Sequence, residues 1–104
     1  MLFIQYWELN PDFDPTELAE VTQTLIRKKL TPGEGETTLH VYFSTSEYWG
    51  ITITKADSEE VLLQSAQIWR IAKPGIFKVL KISPVVDLVK SIPFLVQLGK
   101  KLKE

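Results

Sequence analysis

His40 is the only histidine in the chain, and so the only side chain whose ordinary pKa lies near neutrality. Tyr42 follows two residues later. In an extended segment the two share one face about 7 Å apart, too far for a direct pair but close enough to share a ligand. The chemistry they could do is proton transfer, with His40 as general base and Tyr42 as hydrogen-bond donor, given a partner for the base and a positioned substrate. The plainer reading of a single histidine in a strand is a solvated or hydrogen-bonded surface residue. One histidine, no cysteine and scattered carboxylates give no zinc or iron spacing. No metal and no cofactor are therefore expected. Asp12, Asp14 and Glu17 in "PDFDPTE" are accounted for by a turn and a helix cap. "TPGEGE" lacks the lysine and serine of a phosphate loop, and no Gly-x-Ser-x-Gly nucleophile turn occurs.

These residues must be positioned by a single domain of 104 residues. A hydrophobic fraction of 44% and a charged fraction of 24% are those of a folded globular chain. A net charge of −1 provides no field for nucleic acid. Absence of cysteine excludes disulfides and fits a reducing compartment, so a cytoplasmic protein is expected. "MLFIQYWELN" has no basic leader and reads as a strand. No apolar run approaches the ~20 residues of a membrane span.

Leu2 to Leu9 forms that strand, closed by "NPDFDP". Asp14 then caps a helix with Pro15 at its first position and Glu17 completing a capping box. Leu18, Val21, Leu25, Ile26 and Leu30 make its buried row. "TTLHVYFS" and "GITITKA" alternate as two strands of a hairpin. Matching their apolar faces sets His40 opposite Thr54 and Tyr42 opposite Thr52, with an odd loop or a bulge. A one-residue slip would bury the threonines and expose Ile51 and Ile53. Asp57 and Glu60 open a second helix with Val61, Leu62, Ser65, Ile68, Trp69 and Ala72 inward. "IFKVLKI" is a fourth strand, stopped by Pro84. The order strand, helix, strand, strand, helix, strand specifies an α+β, ferredoxin-like βαββαβ fold, with helices on one face of a four-stranded antiparallel sheet.

The other sheet face then lacks cover. Both sets of side chains on the first strand are largely apolar, which marks a strand that wants burial on both sides. With Leu2 and Ile4 turned to the helices, the open face carries Phe3, Gln5, Trp7, His40, Tyr42, Thr52 and Thr54. An apolar floor with few polar groups suits a small-molecule ligand. The same composition also arises from cross-strand packing or an interface seam. Trp69 reads as core and Trp49 as a core cap, leaving Trp7 to line a cavity.

The strand-initial start, the hairpin followed by "KADSEE", the late tryptophan in "QIWR" and the ending "FKVLKISPVVD" resemble the dimeric α/β-barrel superfamily. Within it, they look most like a small family known only as a domain of unknown function. The likeness covers residues 1–87. It implies a homodimer whose two sheets pack face to face into a barrel, and it implies no activity. More distant relatives of that superfamily include cofactor-free oxygenases and isomerases.

Residues 88–104 form a helical extension to the domain of residues 1–87. Asp87 can cap a short helix "LVKSI", and Ser91 a second one with Pro93 in its first turn. Apolar positions from Ile92 to Leu102 follow helical spacing, with lysines on the other side. The extension could dock on its own domain, on a partner, or on an anionic membrane. Three functions follow: a binding or assembly module with a small apolar or aromatic ligand between the sheets, a cofactor-free enzyme using His40, or an adaptor docking through the C-terminal helix.

Overall fold

Asp14 accepts the Glu17 amide at 2.8 Å, so the first helix, α1 (Pro15–Arg27), starts at the proline the sequence marks. It follows strand β1 (Leu2–Leu9). The computed structural model describes all residues from Met1 to Glu104. After α1 come β2 (Glu36–Phe43), β3 (Trp49–Ala56), helix α2 (Glu59–Ala72), β4 (Phe77–Pro84) and helix α3 (Leu88–Lys103). The α2 cap is Ser58, whose hydroxyl accepts the Val61 amide, one residue beyond the expected Asp57. Gly75 takes φ +80 in the turn between α2 and β4, a conformation that glycine reaches without strain.

The four strands form one antiparallel sheet in the order β2-β3-β1-β4, the ferredoxin-like arrangement. The sheet is open. Strands β2 and β4 each have an unpaired edge, so the closed barrel implied by the resemblance is not formed. The homodimer inferred from that barrel loses its basis with it.

The register of the hairpin corrects a second expectation. His40 lies opposite Ile53, Val41 opposite Thr52 and Tyr42 opposite Ile51. This is the one-residue slip that the pairing of apolar faces was expected to forbid. An irregularity between Thr38 and His40 accommodates it, putting Leu39 in a bulge so that Thr38 pairs with Thr54. Thr54 is accordingly 1% exposed.

The reason lies in β1. Phe3, Leu9 and the half-buried Trp7 pack under the helices, against Leu62 of α2 and Leu18 of α1. Opposite them on β3 stand Thr54, Thr52 and Gly50. Large side chains on β1 stand against small ones on β3, which leaves room for the indole and the phenyl ring. Leu2 and Ile4, expected on this side, face away from the helices. The polar atoms carried inward find partners: Gln5 Nε2 donates to Thr54 Oγ1 at 3.3 Å and Trp7 Nε1 to Thr52 Oγ1 at 3.0 Å. No buried side-chain polar atom is left unpaired.

The helix rows are narrower than expected. Leu18 and Leu25 of α1 and Leu62 and Ala66 of α2 are buried, whereas Ile26 and Leu30 are exposed. Trp69 packs against the cluster of Leu9, Leu18 and Ile76. Ser65 Oγ donates to Glu36 Oε1 at 2.9 Å, and the Gly33 amide donates to the same oxygen, tying the loop before β2 to α2. Lys73 Nζ pairs with Glu17 at 3.1 Å across the two helices.

The C-terminal segment is one helix and not two. Asp87 accepts the Lys90 amide at 3.0 Å, and α3 then runs through Pro93. None of its residues is buried. A radius of gyration of 17.0 Å, against about 13 Å for a compact chain of this size, and a longest dimension of 58 Å reflect this outlying helix. No helix is long and apolar enough to cross a membrane.

Candidate functional site

Strand alternation from the observed register places Ile4 and Tyr6 of β1, Ile51 and Ile53 of β3, and His40 and Tyr42 of β2 on the sheet face opposite the helices. Trp49, expected to cap the core, shares this face, 37% exposed, its ring 6.0 Å from that of Tyr6. His40 and Tyr42 stack with centroids 5.8 Å apart and planes at 13°. Around this aromatic and aliphatic centre stand charged or polar residues: Glu8 on β1, Lys55 on β3, Lys81 and Ser83 on β4.

Of the seven residues read as ligand-binding, the structure brings together only His40 and Tyr42 on the open face. Phe3, Gln5, Trp7, Thr52 and Thr54 lie on the helix side, where Phe3 and Thr54 are each 1% exposed. Trp7 stacks edge-on against Phe43 at 5.5 Å and covers Gly50. The residues that sequence reasoning missed are Ile4, Tyr6, Trp49, Ile51 and Ile53. Their signal was present as the large-against-small pairing of Phe3 and Trp7 with Thr54 and Gly50, which fixes the inward face. Leu39 falls in the bulge and Val41 and Phe43 turn back to the helix side, where no helix reaches them fully; they stay 39%, 57% and 48% exposed. Strand β2 is thus uncovered over nearly its whole length.

Tyr6 is the titratable group whose environment shifts it. The hydrogen bond that it donates to Glu8 Oε2 at 3.0 Å holds the phenol above its ordinary value. Desolvation and the charges of Glu8 and Glu47 act in the same direction. Tyr6 is therefore expected to ionise above pH 10 in the folded chain, and Glu8→Gln should return it toward the ordinary value, read from the Tyr6 ring signals in an NMR titration. The linked stability is present below the unfolded phenol's pKa and is lost as pH rises through the raised folded value. A Tyr6 midpoint unmoved by the substitution would exclude the contact.

Tyr6 and Glu8 are the hydrogen-bonded titratable pair of this face. His40 has the Tyr42 ring as its stacking neighbour, the one ion pair of the chain is Lys73–Glu17, and no group of three metal-ligating side chains assembles. Two clefts lie elsewhere. One of about 320 Å³ sits between α1 and the end of α2, and one of about 420 Å³ lies among Met1, Leu2 and Pro84–Val86.

No family model and no curated protein matches the chain, so the closer likeness to one small uncharacterised family is not supported. Solved structures do match. A protein of Nitrosomonas europaea described as a candidate antibiotic biosynthesis monooxygenase superposes with a TM-score of 0.53 at 12% identity, over 84% of this chain and 97% of its own. A protein of Agrobacterium tumefaciens gives 0.54 at 13% identity, over 85% and 96%. A protein of Mycobacterium tuberculosis gives 0.53 at 13%, over 83% and 94%. Identities this low establish a shared fold and nothing of activity: the chain is a small ferredoxin-like protein, structurally related to these three.

Proposed function

We propose that this protein is a docking module whose working surface is the uncovered sheet face, and that the occupant is a flat apolar surface of another protein. One observation carries the reading: the face opposite the helices has an aromatic and isoleucine centre with Glu8, Lys55 and Lys81 beside it. Protein interfaces have this composition, with aromatic residues enriched and charge depleted at the centre. Strand spacing and rise give the face dimensions of about 15 Å by 25 Å, or roughly 400 Å². A largely flat surface offers a small ligand little concave contact, which favours a macromolecular partner.

The test uses two open-face variants, Ile53→Asp and Tyr42→Ser, with near-ultraviolet circular dichroism confirming the fold. Anilinonaphthalene sulfonate, an apolar dye, is expected to bind the native chain, and each variant should at least halve its emission. Any partner bound through this face should be weakened by about 2 kcal/mol or more in Ile53→Asp, because a charge is then desolvated at the centre. Dye binding and partner retention both unaffected by the two substitutions would sink the proposal.

A further inference from the structure

We infer that α3 is a basic amphipathic anchor for an anionic lipid surface, an inference independent of the sheet-face reading. The eight apolar side chains of α3 other than Pro93, from Leu88 to Leu102 and including Phe94 and Leu98, spread over an arc of about 220° at 100° per residue and are between 41% and 88% exposed. Lys90, Lys100 and Lys101 occupy the remaining sector of about 100°, whereas Lys103 projects within the apolar arc in the last turn. An apolar arc this wide, with lysines opposite, is the pattern of helices that lie in the membrane interface.

Charge selects the occupant. Residues 88–104 hold four lysines against one glutamate, a net +3, whereas residues 1–87 hold eight basic against twelve acidic residues, a net −4. A chain of net −1 thus carries a net +3 on its one outlying helix. Folding α3 back on the open sheet face would use only the apolar arc, since that face presents Lys55 and Lys81 with Glu8 as its acid. An anionic interface uses both sectors, burying the leucines while the lysines reach the headgroups. The helix spans about 24 Å, carries one lysine in its first turn and three in its last, and is not apolar enough to cross, so it lies in the plane. Short isolated helices are marginal in water, and Pro93 removes one internal hydrogen bond. Docking therefore also completes the helix.

The full chain is sedimented with vesicles of phosphatidylcholine alone and of phosphatidylcholine with phosphatidylglycerol. Binding is expected only to the phosphatidylglycerol vesicles, with a rise in helical ellipticity. The double substitution Lys100→Gln, Lys101→Gln should lower partitioning about 25-fold, from roughly fivefold per lysine. Leu95→Asp should abolish it with every lysine intact, and Ile53→Asp on the sheet should leave it unchanged. These α3 positions are exposed, so the fold of the domain is not at stake. Equal binding to neutral vesicles, no binding to anionic ones, or partitioning insensitive to the lysine pair would overturn the inference.

Discussion

Phe3→Ala is expected to lower the free energy of unfolding by about 3–5 kcal/mol, the usual cost of emptying a buried phenylalanine site. Phe3 is 1% exposed and packs against Ala56 and the fully buried Leu62, with Val61 and Ile82 beside them. For a small domain with a total stability of about 5–15 kcal/mol, this loss is a large share. Leu2→Ala, next in sequence but on the uncovered face, should cost less than about 1 kcal/mol, as surface substitutions usually do. Denaturant titration of both variants reads the difference directly. Equal losses, or a larger loss at Leu2, would mean that the helices cover the other face of β1.

Gly50→Ala should be the most damaging substitution that adds a single carbon. A Cβ at Gly50 would overlap the Trp7 indole and the Tyr42 carbonyl oxygen. The indole is held by its hydrogen bond to Thr52 at 3.0 Å, and the carbonyl belongs to the paired backbone of β2, so neither gives way cheaply. Overpacking of this kind costs about 1–3 kcal/mol and sometimes more, and here the upper end is expected. Gly99→Ala is the control, because nothing lies within 4 Å of a Cβ there and alanine favours the helix. Thermal unfolding should show a lowered midpoint for Gly50→Ala and none for Gly99→Ala; a neutral Gly50→Ala would mean that Trp7 does not lie over β3.

The element order was legible because each boundary carries its own chemistry. Asp14 with Pro15 starts α1, the "KPG" turn ends α2 where Gly75 has φ +80, and Pro84 stops β4. Which way the strands face was not legible from alternation alone. Ile51 and Ile53 are more apolar than Thr52 and Thr54, and a strand read in isolation turns the isoleucines inward. The packing decision rests with β1, where Phe3, Trp7 and Leu9 together exceed Leu2, Ile4 and Tyr6 in volume and need small partners on β3. Threonine and glycine supply the space, and threonine hydroxyls take the Gln5 and Trp7 donors. The bulge at Leu39 that reconciles β2 with this register leaves no local signature, since nothing in "TTLHVYFS" marks an extra residue. The candidate site inverted with the faces, and only His40 and Tyr42, which the bulge keeps outward, stayed in place.

Carbene footprinting of the free native chain, read by mass spectrometry, tests the facing of the sheet most directly. Tyr42, Trp49, Ile51 and Ile53 should take up label while Phe3, Thr54 and Leu62 stay protected. Label on Phe3 and Thr54 with Ile51 and Ile53 shielded would contradict the account.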